Sequence, residues 1–304
     1  MHVGVVGAGA LGLYYGAMLQ RAGHTVSYLL RSDYQALNAA GLTVHSINGD
    51  FYLPEVRGYR TAEEIGPVDL VLVGLKTFAN HCMIDLVRPL VGAQTMILTL
   101  QNGLGNEELL ADAFSPQTVL GGIAFLCSNR GEPGHVHHLG EGRIRLGEFS
   151  GGDSERSRML ADEFSRAGVP CQAVTDLRKA RWEKLIWNIP FNGLCALLNQ
   201  NVNLLLGHAS GKQLAGQIME EVVAAGNAQS LSKPIDGAAF IPRMIGMTEQ
   251  MDNYCPSMMI DRQQGRPLEL EAIYRIPLQM AAQKGVAMPK TEMLCQLLDM
   301  EEHQ

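Results

Sequence analysis

Residues 181 to 192 read Arg-Trp-Glu-Lys-Leu-Ile-Trp-Asn-Ile-Pro-Phe-Asn, and wound as an α-helix they sort by chemistry. At ~100° per residue, Trp182, Leu185, Ile186 and Ile189 share an apolar face. Lys184, Asn188 and Asn192, spaced i, i+4, i+8, share a second arc that also takes in Cys195 and Asn199. A solvated face would carry several Glu and Lys residues, so one lysine among carboxamides reads as a binding wall. Carboxamides donate hydrogen bonds without neutralising an anion. An ammonium can stabilise negative charge growing on an oxygen and then give that oxygen a proton. The arc therefore suits proton delivery to a carbonyl oxygen while a hydride reaches its carbon. Pro190 removes one helical hydrogen bond and disfavours helical geometry at Ile189, so a kink is expected between Asn188 and Asn192.

A hydride needs a carrier, and the start of the chain offers a seat for one. His2 to Val6 is a short apolar run of strand length, and it enters Gly7-Ala8-Gly9-Ala10-Leu11-Gly12 directly, with a helix expected from Leu13 to Gln20. Glycines at 7, 9 and 12 suit a tight turn, a close approach of backbone N–H groups to a diphosphate, and close helix–strand packing. The helix N-terminus adds partial positive charge there. Thr25 to Leu30 is a second strand, and the position after it usually carries Asp or Glu in an NAD-binding domain. Here Arg31 and Ser32 follow, a pair suited to a 2′-phosphate, and Asp33 is read as the N-cap of the next helix. The cofactor expected is NADPH.

Two further strands aim at the same edge. Val68 to Leu75 is the clearest buried parallel strand and ends at Lys76, which can reach cofactor phosphate or ribose. Thr95 to Leu100 runs into Gln101-Asn102-Gly103, where the Asn102 carboxamide can orient the nicotinamide end, or the dipeptide can simply make a turn. Strands are also expected at Val119 to Leu126, His135 to Leu139 and Arg143 to Leu146, separated by glycine turns. His135, His137 and His138 invite a metal reading, but alternation puts 137 and 138 on opposite faces, and no metal is expected.

The 304 residues exceed the usual single domain, and the pattern divides into 1–175, alternating strands and helices, and 176–304, helical throughout. The expected fold is α/β: an N-terminal Rossmann-type doubly wound sheet plus an all-α C-terminal domain. A net charge of -7 leaves no basic footprint for nucleic acid. No apolar run approaches the ~20 residues of a membrane span, and the opening strand is not a signal peptide. Six scattered cysteines without a C-x-x-C pair point to a reducing, cytoplasmic setting. Oligomeric state stays open, a homodimer being one option.

The chain resembles the ketopantoate reductase family (2-dehydropantoate 2-reductases) nearly end to end. The resemblance rests on Gly7 to Gly12, Gln101-Asn102-Gly103, Trp182-Glu-Lys-Leu185 with Asn188 and Asn192, and Ser257-Met258 through Asp261 to Glu269. It implies NADPH-dependent reduction of a small 2-keto acid in a crevice between a Rossmann domain and a helical domain. It implies Lys184 as the general acid, with Glu269 as its catalytic partner. Asn188, Asn192, Ser257 and Asn102 would then surround the substrate, and Arg31, Lys76 and Asn102 would contact the cofactor. Read on their own, Ser257 after Pro256 could merely cap a helix and Glu269 could be a surface charge. Two stretches depart from the family pattern: Tyr254 replaces an Asn, and Tyr274-Arg275 replaces a glycine turn, changes expected to alter pocket shape and charge. Reduction of a different 2-oxo or 3-oxo acid is the same-fold alternative, and a catalytically silent NADP-binding sensor is the other.

Overall fold

The computed structural model describes residues 1–302. The chain forms two compact units: Met1–Asn102 with Asn106–Leu177, and Gly103–Gly105 with everything described from Arg178 onward.

The first unit runs β1 (His2–Val6), α1 (Ala10–Arg21), β2 (Thr25–Leu29), α2 (Tyr34–Ala40), β3 (Leu42–Ser46), β4 (Phe51–Leu53), β5 (Arg57–Tyr59), α3 (Ala62–Ile65), β6 (Val68–Val73), α4 (Asn80–Val87), β7 (Val91–Thr99), α5 (Asn106–Phe114), β8 (Val119–Arg130), β9 (His135–Glu148), α6 (Glu155–Arg166) and β10 (Cys171–Ala173). The strands form one sheet in the order β4-β3-β9-β8-β7-β6-β1-β2-β5, with β10 on β9. From β8 to β5 every pairing is parallel. Such strands are covered on both faces, which is why they read as unbroken apolar runs. In β6, Leu70 and Leu72 pack on the α1 side, whereas Val71 and Val73 pack with Met83, Val87 and Leu110 on the other. The chain leaves β1 in both directions across the sheet, so the loops after β1, β2, β6 and β7 gather at a reversal of strand order.

Beyond Gly121 the sheet changes character. β8 pairs with β7 only through Val119, Leu120 and Gly121, then continues as an antiparallel ribbon with β9 to Arg130. This ribbon and the β3–β4 hairpin lie over α1. The Tyr15 hydroxyl donates to the Gly142 carbonyl at 3.3 Å, the Tyr14 and His138 ring centroids are 4.5 Å apart, and Arg21 covers the Phe51 ring. β9 is a single strand, not the two expected. Glu141 and Gly142 take positive φ (60° and 117°), and β9 carries Gly142 and Leu139 as extra residues opposite Phe125–Leu126 and Cys127–Ser128 of β8, so the turn becomes an irregularity within the ladder. His135 and His137 share one side with His45, their rings stacked on it at 5.4 and 4.7 Å, while His138 is buried on the other and bonds Ser46 Oγ at 2.8 Å. Among the described residues, no three His, Cys, Asp or Glu side chains converge as a metal site.

The second unit contains α7 (Leu177–Leu198), α8 (Val202–Gly207), α9 (Ala209–Asn227), α10 (Gly237–Glu249), α11 (Ser257–Gln263), α12 (Ile276–Gln283) and α13 (Pro289–Glu302), with a π-helical turn at Glu271–Arg275 leading into α12. Helix α7 is its centre. Every residue from Leu185 to Ala196 is buried, so the two-faced helix read from sequence is wrapped on all sides. It runs through Pro190 as one helix. Gly193 makes room for a crossing: a Cβ there would lie 2.4 Å from the Tyr274 hydroxyl, which donates to the Ile189 carbonyl at 2.8 Å. The tripeptide Gly103-Leu104-Gly105 is part of this unit. Leu104 is buried in the helical core, its N–H donates to the Ala272 carbonyl of the π turn at 2.9 Å, and a Cβ on Gly103 would lie 2.3 Å from that carbonyl. Among the described residues no helix is long and apolar enough to cross a membrane.

Candidate active site

The first unit holds the nucleotide-binding features. Gly7 takes φ +95°, and a Cβ on it would sit 2.4 Å from the Leu75 backbone nitrogen, so only glycine lets β1 turn against the end of β6. A Cβ on Gly12 would sit 2.3 Å from the Gly7 carbonyl, so helix and turn touch backbone to backbone. Gly9 caps α1, and a Cβ on it would meet nothing within 4 Å. That open cradle lies at the N-terminus of a twelve-residue helix with no acidic residue in its first turn. Ala8, Ala10 and Leu11 are half-buried around it. Open space, converging N–H groups and the positive end of a helix dipole fit a dinucleotide diphosphate. Helix α1 begins at Ala10, inside the glycine motif and three residues before the expected start, because the motif itself supplies the first turn.

The other three nucleotide-side candidates stand at the same strand ends. Arg31 is exposed just past β2. Lys76 is half-buried past β6, in extended backbone before a 3₁₀ turn at Thr77–Ala79. Asn102 is half-buried past β7. Beneath Asn102 runs a relay that local spacing does not reveal. Thr99 Oγ1 donates to Gln101 Oε1 (3.0 Å), Gln101 Nε2 to Asn80 Oδ1 (2.8 Å), Asn80 Nδ2 to Asn106 Oδ1 (2.8 Å), and Asn106 Nδ2 to the Asn102 carbonyl (2.9 Å). Each carboxamide fixes the next one's orientation, so the Asn102 loop is set from below. Asp33 departs from expectation. It occupies the N-cap position of α2 but makes no side-chain cap bond, because its carboxylate is held by Arg130.

The second unit holds the polar arc of α7. Asn188 and Asn192 are each 2% exposed, and Lys184 is half-buried with its ammonium nitrogen 5.7 Å from the Trp187 ring centroid. Asn188 Nδ2 is buried and has no hydrogen-bond partner among the described residues, a condition shared there with Trp182 Nε1 and Asn203 Oδ1. A buried amide left unpaired costs about 1–3 kcal/mol, so a donor in this state marks a place for an acceptor. Asn192 Oδ1 accepts from the Met258 N–H at 3.3 Å and lies 3.4 Å from Ser257 Oγ, which joins α7 to the start of α11. Ser257 is the first helical residue, the cap position belonging to Pro256. Glu269 is 2% exposed rather than a surface charge, and it lies two residues before the π-helical turn whose Tyr274 bonds α7. The structure thus joins Asn192 to Ser257, sets Lys184 and Asn188 one turn apart on the same helix, and buries Glu269.

Three expectations are corrected. Asn199 is not on the arc: α7 ends at Leu198, and Asn199 is exposed with φ 50°. Tyr274 does not shape a pocket but is a core residue, and Arg275 points outward to Asp299 and Glu271. What the polar reading of α7 overlooked is its aromatic neighbourhood. Trp187 packs against Phe191 and Tyr254 with centroids at 5.1 and 6.0 Å, and its indole N–H donates to the buried Thr248 hydroxyl at 2.9 Å. Trp187 reads from sequence only as another apolar position, since its partners lie on other helices.

Comparison with known proteins follows the same division. The model of the family "Ketopantoate reductase PanE/ApbA" matches residues 3–151, and that of "Ketopantoate reductase PanE/ApbA C terminal" matches residues 176–302. A 2-dehydropantoate 2-reductase of Nostoc sp. is 42% identical over 295 residues, spanning 95% of this chain and 92% of that protein. The crystal structure of 2-dehydropantoate 2-reductase from Geobacter metallireducens superposes with a TM-score of 0.97 at 59% identity over 99% of each chain. The fold is shared as well with D-mandelate dehydrogenase, solved with NADH and anilino(oxo)acetate, at a TM-score of 0.91 and 22% identity over 100% of this chain and 98% of that one.

Proposed function

This chain belongs to the ketopantoate reductase family, and from that premise we propose that it reduces 2-dehydropantoate to pantoate with NADPH, Lys184 acting as general acid. The observation that carries the reading is Asn188 Nδ2, a buried donor without a protein acceptor, one turn from Lys184. An anionic keto acid brings the acceptor that this amide lacks.

The chemistry that bound NADPH supplies is a hydride for the keto carbon. The remaining work falls to the chain's own side chains. Gly7 to Gly12 and the α1 N-terminus hold the diphosphate, Arg31 and Ser32 the 2′-phosphate, and Lys76 and Asn102 the ribose and nicotinamide end. Lys184 stabilises negative charge growing on the carbonyl oxygen and then donates a proton to it. Asn188 and Asn192 donate amide hydrogens to substrate oxygens, the latter oriented through Oδ1 by the Met258 N–H. Ser257 supports the substrate carboxylate, and Glu269 accepts from a substrate hydroxyl or orients Lys184. Six free cysteines accord with a cytoplasmic setting.

Steady-state oxidation of NADPH with 2-dehydropantoate tests the proposal. Lys184→Ala is expected to lower turnover at least ~100-fold with cofactor affinity little changed, since it removes a group used only at the reacting oxygen. Near-normal turnover would remove Lys184 from the mechanism. A second reading, reduction of another 2-oxo or 3-oxo acid, draws on Tyr254, whose ring packs by Trp187 where the family carries an amide. A panel of keto acids separates the two by their kcat/KM values.

A further inference from the structure

The end of β2 carries both an arginine and a carboxylate, Arg31 and Asp33, and their charges alone would cancel at the place where a 2′-phosphate or a bare ribose is distinguished. The structure brings a third charge to this loop. Arg130, the last residue of β8 and 97 residues away in sequence, donates from Nε to Asp33 Oδ2 at 3.0 Å and from Nη2 to Asp33 Oδ1. Nη2 also donates to Ser32 Oγ at 2.7 Å, and Ser32 Oγ lies 3.4 Å from Asp33 Oδ1. The Asp33 side chain is 2% exposed, whereas that of Arg130 is 40% exposed. The carboxylate is thus engaged on both oxygens and withdrawn from solvent, while the Arg130 side chain stays partly exposed against Ser32, next in sequence to the exposed Arg31.

We propose that Arg130 is a specificity-determining residue for the cofactor: it withholds Asp33 from ribose hydroxyls and presents a second guanidinium to the 2′-phosphate. A carboxylate selects NAD by accepting hydrogen bonds from both ribose hydroxyls, and it repels a phosphate at that position. Bound at both oxygens by one guanidinium, Asp33 does neither. The loop's three charges sum to +1, where Arg31 and Asp33 without Arg130 would sum to zero. The geometry depends on the ribbon of β8 and β9, in which β8 parts from β7 after Gly121, lies over α1 and brings Arg130 to the loop after β2.

This inference rests on the reading of the β2 loop as a 2′-phosphate site, so the experiment includes Arg31→Ala as the test of that reading. Dissociation constants for NADPH and NADH are measured by the fluorescence of the reduced nicotinamide for the native protein, Arg31→Ala, Arg130→Met and the double variant Arg130→Met/Asp33→Asn. The double variant leaves no buried unpaired carboxylate, so it remains informative where the single variant fails to fold. Arg130→Met is expected to lower the ratio of NADPH to NADH affinity about 10- to 100-fold, through loss of a charge-assisted contact and release of Asp33. The double variant is expected to lower it less, because the repelling charge is gone. An unchanged ratio in both Arg130 variants, with a ratio lowered by Arg31→Ala, overturns the role of Arg130 alone. A ratio unmoved by Arg31→Ala and by both Arg130 variants overturns the 2′-phosphate reading and this inference together.

Discussion

Lys184 and Trp187 lie one turn apart on α7, and the ammonium stands over the indole face within cation–π range. The indole is itself pinned, its N–H held by Thr248, whose hydroxyl in turn donates to the Met244 carbonyl at 2.7 Å. Replacing Trp187 by Leu removes the face but leaves a buried apolar side chain. Turnover is expected to fall about 5- to 10-fold, the equivalent of roughly 1 kcal/mol, with cofactor affinity unchanged. Trp187→Phe should retain most of it. Thr248→Val leaves the indole N–H buried without an acceptor and is expected to cost about 1–3 kcal/mol of stability in urea unfolding. Equal turnover in the Leu and Phe variants would show that the ring face does not matter to the lysine.

At the level of elements, the glycine turn makes a contrast that binding and stability measurements can separate. Gly7→Ala forces a Cβ into the Leu75 backbone at positive φ, so loss of stability of about 1–3 kcal/mol or more is expected, with binding lost as a consequence. Gly9→Ala meets no protein atom within 4 Å, so its melting temperature should hold while cofactor affinity falls. Much of this was legible beforehand. The β1–turn–α1 unit, the strands ending at Lys76 and Asn102, and Lys184 with Asn188 all follow from local patterns of period 2 or 3.6. What local spacing cannot carry is contact between distant segments. Arg130 reaching Asp33, the amide relay from Asn80 to Asn106, and Trp187 on Thr248 are all pairings across the fold. The same limit holds for Tyr274, expected to alter pocket shape: nothing nearby in sequence announces that Gly193 leaves room for its hydroxyl in the core. The glycines of β9 suggest two strands because a bulge and a turn look alike in sequence until the partner strand is known.

For the molecule as a whole, the two units can be followed separately through their own thiols. Burial pushes the Cys171 thiol up to about 12 in the first unit and that of Cys195 up to about 12 in the second. Neither carries appreciable thiolate near neutral pH; Cys195 is buried, so its alkylation, read by mass spectrometry, is expected only as the helical unit opens, with the half-buried Cys171 as the reference thiol of the first unit. Leu104→Ala should therefore speed labelling of Cys195 more than of Cys171, because the leucine is buried with the helices and its loss costs about 2–5 kcal/mol. Similar acceleration at both cysteines would show that the units open together. The placement of that leucine also bears on how the protein could be taken apart. A fragment starting at Arg178 lacks the tripeptide that its π turn grips, and the complementary fragment carries a buried leucine whose socket has been removed. Gene dissection at this junction yields two incomplete halves, and a chimera exchanging the helical unit between relatives has to move Gly103-Leu104-Gly105 along with it or leave plug and socket mismatched.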